Sequence, residues 1–207
     1  MEKEITLKKF WNFLRKDSWA SIVVTLILAF IIIKYIFFPI LSFLTGTPLP
    51  LVIVESCSMH HEKNGFEEIF DISNIYEKNE ITLDDTDDWT FQNGFNKGDI
   101  IFVVGTTNNV KIGDVIIFNA ARSLSPHPII HRVVKTNETL ETKGDNNAGQ
   151  LTQTNNPNMV DETNIEKNQI IGKAIFRIPY VGWVKLIWFE LLKKIDSNLN
   201  TNFEFFC

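Results

Sequence analysis

The sequence has little cysteine, little histidine and no excess of positive charge, and each shortage excludes a class of protein. Two cysteines among 207 residues, Cys57 and Cys207, cannot build a disulfide framework, and the sequence does not indicate whether they pair. A net charge of −5 argues against a nucleic-acid binder, which needs a basic face. The four histidines lack the His-x-x-x-His spacing of metal sites. We therefore expect no metal, no cofactor and no nucleic-acid partner.

Apolar residues make up 44% of the chain but are concentrated near its start. Residues 19–44 are almost wholly apolar, which exceeds the roughly 20 residues that a membrane-spanning helix needs. The run is too long for the core of a cleaved signal peptide and offers no small-residue cleavage site. It predicts a transmembrane anchor, and the alternative is a buried core helix. Lys34, past the middle of the run, can extend towards the far interface.

Basic residues precede this apolar run and indicate its orientation. Lysine and arginine outside a span mark its cytoplasmic side, and acidic residues count for little. Residues 1–18 are therefore predicted to be a cytoplasmic segment, in a single-pass protein of the cell membrane whose remaining residues lie outside. The basic residues are Lys3, Lys8, Lys9, Arg15 and Lys16.

Residues 45–180 are predicted to form an extracytoplasmic, mainly β domain of short strands. Six short runs rich in β-branched residues are separated by turns, several of which contain glycine. The runs are residues 51–54, 99–104, 114–118, 129–135, 139–143 and 170–178. Between the first two lies an acidic insert, residues 60–97, which has no clear period and is expected to be a partly ordered, solvated region.

Residues 181–207 are predicted to begin with a short helix that lies on the membrane surface, followed by a tail. Trp183 and Trp188 suit a membrane interface, whereas Lys185 and Glu190 argue against a second span. The alternative is a helix packed on the β domain.

Three polar residues near strand ends are candidates for chemistry. Ser58 follows the first predicted strand, but a serine hydroxyl needs a base to become a nucleophile. His131 lies inside a strand pattern that would hold its imidazole firmly, whereas His60 and His61 open the insert, where mobility would spoil a base. Asp145 follows a strand in a Gly-Asp turn and could orient the base, although such a sequence is also an ordinary turn.

The order of these motifs resembles that of type I signal peptidases, most closely the archaeal and endoplasmic-reticulum branch of Ser-His-Asp type. After the apolar run the chain has Ser-x-Ser-Met, Gly-Asp-Val-Ile-Ile-Phe, Ile-His-Arg-Val and Lys-Gly-Asp-Asn-Asn. The resemblance covers roughly residues 51–184, except for the insert.

The resemblance implies a membrane-bound serine endopeptidase that cleaves signal peptides from secretory preproteins after small residues. Ser58 matches the nucleophile, and His131 takes the position of the base. The backbone N–H of Ser58 and the hydroxyl of Ser56 would hold the oxyanion. The implied partners are signal peptides, the lipid bilayer and the protein-export machinery.

The chain departs from the family pattern at the acid. The family commonly has a second Asp six positions after that of Gly-Asp, and this position is Leu151 here. Asp145 could orient His131 itself, or Asp161 could reach back from a longer loop. Asp145 is favoured because it lies beside a strand and needs no loop rearrangement.

Two other functions fit parts of the pattern. A catalytically impaired relative that binds peptides or a partner would explain the missing second acid, but Ser58 and His131 argue against it. A self-cleaving regulator on a related fold would use a Ser–Lys pair and usually a DNA-binding domain, and the sequence indicates neither.

Overall fold

The chain divides into two units, residues 1–44 and residues 45–207. The structure is a computed structural model that describes residues 2–62, 65–106, 109–119, 127–152, 160–188 and 207.

The first unit is helical. One continuous helix of 27 residues runs from Trp19 to Thr45, and an 18-residue stretch within it has a mean hydropathy of 2.6. At 1.5 Å per residue it is roughly 40 Å long, which suffices to cross a membrane. Its start is capped by Ser18, whose hydroxyl accepts a hydrogen bond from the backbone N–H of Ser21 at 3.2 Å. The segments of the unit are α1 (Glu2–Leu14), α2 (Trp19–Ile32), a π-helical turn (Ile33–Phe37) and α3 (Phe38–Thr45).

The second unit is built on one six-stranded sheet in which every strand pair is antiparallel. The strands are β1 (Leu51–Ile53), β2 (Ile100–Val104), β3 (Val115–Phe118), β4 (Ile129–Lys135), β5 (Glu141–Lys143) and β6 (Ile170–Ile178). Their order in the sheet is β1-β2-β6-β3-β4-β5. The prediction of a mainly β domain with one N-terminal apolar helix is confirmed.

The sheet forms from strands with a high content of β-branched residues. Every residue of β3 is buried, and its side chains contribute to two apolar clusters. Gly98 and Gly113 supply positive φ angles of 88° and 89° in the turns before β2 and β3. The register pairs Ile116 of β3 with His131 of β4, so His131 lies at the centre of a fixed strand pair.

The insert is more ordered than its acidic composition indicates. It contains two short helices, α4 (Glu67–Ile72) and α5 (Ile75–Lys78), and single 3₁₀ turns occur at Asp84–Thr86 and, near β6, at Lys167–Gln169. Its apolar side chains form a separate cluster with Val134 of β4; the buried ones are Phe66, Ile69, Tyr76 and Ile81. The charged residues face water, as expected for a solvated region. The expectation of only partial order is corrected for the described residues, because the aromatic side chains pack onto the sheet.

Residues 183–188 are helical after the turn that follows β6. The backbone N–H of Gly182 donates to the carbonyl of Gly98 at 2.8 Å, and Leu186 is buried, so this segment contacts the β domain. Val184 and Trp188 are exposed. The rest of the predicted helix and tail, residues 189–206, lies outside the described residues.

Candidate active site

Ser58 lies in a tight turn between β1 and the insert. The backbone N–H of His60 donates to the carbonyl of Cys57 at 3.1 Å, which closes the turn. The backbone N–H of Phe95 donates to the carbonyl of Met59 at 2.7 Å, and the Met59 side chain is buried. The turn is therefore held from both sides, and Ser58 itself remains partly exposed.

The structure brings Ser58 and His131 together. The Oγ of Ser58 lies 2.9 Å from Nε2 of His131, which is a hydrogen-bond distance. His131 is only 3% exposed, so packing fixes the direction of its ring. This is the contact between a nucleophile and a general base that activation of a serine requires.

The carboxylate on the other side of the His131 ring belongs to Glu162. Nδ1 of His131 donates a hydrogen bond to Oε1 of Glu162, so Nε2 is free to accept the proton of Ser58. The Thr142 hydroxyl also donates to Oε1, at 3.0 Å, and the backbone N–H of Leu151 donates to Oε2 at 2.8 Å. Glu162 is completely buried, and these three donors hold its carboxylate in one orientation.

Neither aspartate proposed from the sequence occupies that place. The Asp145 carboxylate accepts hydrogen bonds from Arg132 and His61, which pull it away from His131. The Asp161 carboxylate accepts from the backbone and hydroxyl of Thr163, at 3.1 and 2.6 Å, and so caps its own turn. The expectation that Asp145 or Asp161 orients His131 is therefore corrected to Glu162.

The sequence carried one weak sign of Glu162. The backbone of Glu162 is paired with that of Leu151, because its N–H donates to the Leu151 carbonyl at 2.8 Å. The carboxylate beside His131 thus comes from the residue that pairs with Leu151, and Leu151 itself stands where the family commonly has its second Asp. Glu162 is visible in the sequence as an acidic residue next to Asp161. Only the backbone pairing with Leu151 shows that Glu162, rather than Asp161, points towards His131.

Asp145 forms a buried ion pair with Arg132. Nε of Arg132 lies 2.9 Å from Oδ1 and NH2 lies 2.7 Å from Oδ2, and both side chains are completely buried. Burial opposes ionisation of Asp145, but the Arg132 guanidinium and the hydrogen bonds from His61 and Arg132 outweigh it. They hold the pKa of Asp145 well below its ordinary value.

Ser56 is placed for a role beside the nucleophile. Its Oγ lies 3.2 Å from the Oγ of Ser58, and its side chain is exposed to the cleft. A hydroxyl at this distance can donate to an oxygen that develops negative charge next to Ser58.

An apolar cleft of about 620 Å³ opens at Ser58. One side is formed by residues of β1 and the segment after it, and the other by the start of β4. The residues that matter here are Leu51, Ile53, Ile129 and Ile130. β1 lies at one edge of the sheet, so its outer backbone groups face away from β2. The cleft suits an extended, apolar chain that passes across Ser58.

Lys143 does not replace His131 as a base. Burial lowers the pKa of Lys143 to about 8, although the nearby Asp145 and Glu162 carboxylates oppose this change. However, its Nζ donates to the carbonyls of Gly144 and Asp145, at 3.0 and 2.9 Å. The contact of Ser58 is with His131, which argues against Ser–Lys chemistry.

Two further features concern cofactors and cysteines. Within the described ranges, no group of three or more His, Cys, Asp or Glu side chains is arranged to hold a metal ion. Cys57, the neighbour of Ser58, forms a disulfide with Cys207, a pairing that the sequence left open. The disulfide ties residue 207 to the turn that carries Ser58.

The chain is similar to fungal proteins named signal peptidase complex catalytic subunit. It is 30% identical over 103 residues to the protein of Pyricularia oryzae, a match that covers 46% of this chain and 57% of that protein. It is 28% identical over 107 residues to the Lodderomyces elongisporus protein, covering 45% and 57%. A longer match, 26% identical over 157 residues, covers 72% of this chain and 70% of the Verticillium alfalfae protein. The first two matches thus span just over half of each relative's length. No family model matches the chain.

Proposed function

We propose that this chain is a membrane-anchored serine endopeptidase that removes signal peptides from secretory preproteins. The observation that carries the proposal is the chain of contacts from Ser58 through His131 to Glu162 at the edge of an apolar cleft. The similarity to catalytic subunits of signal peptidase complexes supports the same reaction.

In the first half of the reaction, Ser58 attacks the carbonyl carbon of the scissile peptide bond. Nε2 of His131 takes the hydroxyl proton, and the buried Glu162 carboxylate stabilises the imidazolium that forms. His131 then gives this proton to the leaving amine, so that the mature protein departs and the signal peptide stays as an ester on Ser58.

In the second half, His131 removes a proton from a water molecule, which attacks the ester carbon. The bond to the Ser58 oxygen then breaks, His131 returns the proton to that oxygen, and the signal peptide leaves with a free carboxyl end. Both tetrahedral intermediates carry an oxyanion. The Ser56 hydroxyl and the backbone N–H of Ser58 are the proposed donors to this oxygen. The distance of 3.2 Å between the Oγ atoms of Ser56 and Ser58 supports the role of Ser56 as an oxyanion donor.

The substrate is proposed to bind as an extended strand along β1. The edge position of β1 gives an extended peptide backbone groups with which to pair. The isoleucines at the start of β4 line the cleft opposite β1 and are proposed to limit the side chains next to the cleaved bond to small ones. A signal peptide, apolar and ending in small residues, fits these requirements.

Three features support a location at the outer side of a membrane. The helix Trp19–Thr45 supplies an anchor, with residues 1–18 proposed to be cytoplasmic. The disulfide between Cys57 and Cys207 is stable in oxidising compartments. Exposed apolar side chains also occur in β6, in the turn after it and in the helix at 183–188, and they suit a lipid interface. These residues are Ile175, Phe176, Tyr180, Val184 and Trp188.

The test is cleavage of a membrane-inserted preprotein by the full chain in lipid vesicles, with the new N-terminus identified by mass spectrometry. We expect the wild type to cut after a small residue, and Ser58→Ala and His131→Ala to lose at least about 10³-fold in rate. His60→Ala, which removes a neighbouring imidazole outside the pair, is the control and should retain activity. Undiminished cleavage by Ser58→Ala would overturn the proposal.

A further inference from the structure

His61, the second residue of the insert, is buried beside the active site. Its side chain and that of Asp145 are both completely inaccessible to solvent. Nε2 of His61 lies 3.0 Å from Oδ2 of Asp145, and Nδ1 lies 2.8 Å from the carbonyl oxygen of Gln92. The expectation of a mobile histidine at the mouth of the insert is corrected by these contacts.

Both partners of the His61 ring can only accept hydrogen bonds. A backbone carbonyl has no proton to donate, and neither has an ionised carboxylate. A neutral imidazole carries one N–H, so one of its two nitrogens would face an acceptor with a lone pair. An unpaired polar contact of this kind is unfavourable when it is completely buried. Only the doubly protonated ring satisfies both contacts.

The proton cannot lie on Asp145 instead without loss of other contacts. Arg132 directs Nε and NH2 at both carboxylate oxygens, and its guanidinium holds Asp145 in the ionised form. A proton on Asp145 would leave the buried Arg132 cation without an ionised counterion.

Other charged and titratable groups surround the same carboxylate. The cation of Arg132 disfavours a second cation nearby, and so does Lys143, whose Nζ bonds the Asp145 carbonyl. Tyr76 directs its hydroxyl at Oδ1 of Asp145 from 3.4 Å, and burial raises its pKa, so it stays neutral. The direct hydrogen bond of His61 to the ionised Asp145 carboxylate, at 3.0 Å, offsets these repulsions.

The Asp145 turn is in direct contact with the turn that carries the nucleophile. The backbone N–H of Asn146 donates to the carbonyl of Ser58 at 2.8 Å, and its side-chain amide donates to the carbonyl of Cys57 at 3.1 Å. The backbone N–H of Asp145 lies 3.4 Å from the sulfur of Met59. A shift of Asp145 would therefore move the backbone of Ser58.

We propose that His61 is a positioning residue with an N–H donor on each ring nitrogen, which fixes the Asp145–Asn146 turn against Ser58 and so connects the insert to catalysis. Only the expected change in kcat rests on the proposed peptidase function. Arg132 holds Asp145 from the sheet side, and His61 holds it from the insert side. Loss of His61 removes one of the donors that hold Oδ2 of Asp145 and lets the turn move.

The experiment begins with the wild-type full chain in detergent micelles, labelled with ¹⁵N in its histidine rings. We expect one histidine to bear protons on both ring nitrogens at neutral pH, and this signal to vanish in His61→Gln. Amide hydrogen exchange at Asn146 should be at least about 10-fold faster in His61→Gln. A His61 ring with a single N–H at neutral pH would overturn the proposal even if no variant could be prepared.

The kinetic arm compares His61→Gln with His60→Gln, a variant of the adjacent histidine whose Nδ1 contacts Asn96 instead. We expect kcat to fall by roughly 10- to 100-fold in His61→Gln with KM unchanged, and neither to change in His60→Gln. Unchanged kcat and unchanged Asn146 exchange in His61→Gln would refute the positioning role. If the wild type cleaves no preprotein, the proposed function fails, while the ring and exchange measurements still decide the role of His61.

Discussion

Gly144 lies against both members of the proposed catalytic pair. A Cβ atom at this position would approach Nε2 of His131 to 2.8 Å and the carbonyl oxygen of Ser58 to 2.9 Å. Such distances are shorter than carbon can tolerate, so one of the two groups would have to move. The absence of a side chain at residue 144 is thus a requirement of the Ser58–His131 contact.

We therefore expect Gly144→Ala to lower kcat for preprotein cleavage by roughly 10- to 100-fold, because displacement of reacting groups by about 1 Å has effects of this size. The matched control is Gly149→Ala, since no atom lies within 4 Å of a Cβ there. Steady-state kinetics of the two variants in vesicles measures the difference. Equal rates for both would show that the packing around Gly144 does not constrain the pair.

A functional residue could be predicted where it belongs to a sequence motif. It could not be predicted where backbone pairing between separate segments brings it to the site. Ser58 and His131 follow from motifs, and their geometry agrees with the roles proposed for them. Glu162 does not follow, because its carboxylate reaches His131 through backbone pairing with Leu151, eleven residues earlier in the chain. Asp145 fits the motif, but buried Arg132 takes up its charge.

At the scale of elements, the six strands were visible in the sequence, and the ordered structure of the insert was not. Each strand is a short run of β-branched residues beside a turn, so local composition identifies it. The insert presents acidic residues to water and uses few apolar side chains, such as Ile69 and Tyr76, to pack on Val134. Tertiary contact, rather than local pattern, gives that region its order.

The helix Trp19–Thr45 gives a prediction about membrane retention. The wild-type chain should stay with the membrane after extraction at alkaline pH. Leu26→Arg combined with Ile27→Arg should release most of it, since each arginine at the centre of a span costs about 2.5–3.5 kcal/mol. Both positions are exposed, so the effect does not come from a disturbed core.

Trp11→Arg, which adds the same charge in α1 outside the span, is the control and should leave retention unchanged. Immunoblots of the membrane and soluble fractions measure the outcome. Retention of the double-arginine variant at the wild-type level would show that the helix is not the anchor.

For the whole molecule, the pair of Asp145 and Arg132 links folding to pH. The pKa of Asp145 is lowered in the folded state, so the unfolded chain takes up the proton first as the pH falls. The stability contributed by this carboxylate is complete above its unfolded pKa of about 4 and is lost as the pH falls towards the folded value.

We expect the free energy of unfolding of the β domain to decrease below pH 4, and Asp145→Asn to flatten this dependence. At neutral pH the variant should be less stable by about 3–5 kcal/mol, because Arg132 keeps its buried charge without a counterion. Denaturant unfolding of the full chain in micelles, followed by tryptophan fluorescence, measures both. Asp88→Asn, at an exposed position, should behave as the wild type. An equally steep acid dependence in Asp145→Asn would contradict the account.

The central claim is that Ser58, His131 and Glu162 act as one unit, and the most direct measurement is kcat for His131→Ala, Glu162→Gln and the double variant on a membrane-inserted preprotein. We predict that Glu162→Gln loses about 10⁴-fold. The double variant should be no slower than His131→Ala, because the acid acts only through the base. Asp161→Asn should retain wild-type activity. A Glu162→Gln enzyme with normal kcat, or a loss in Asp161→Asn instead, would contradict the claim.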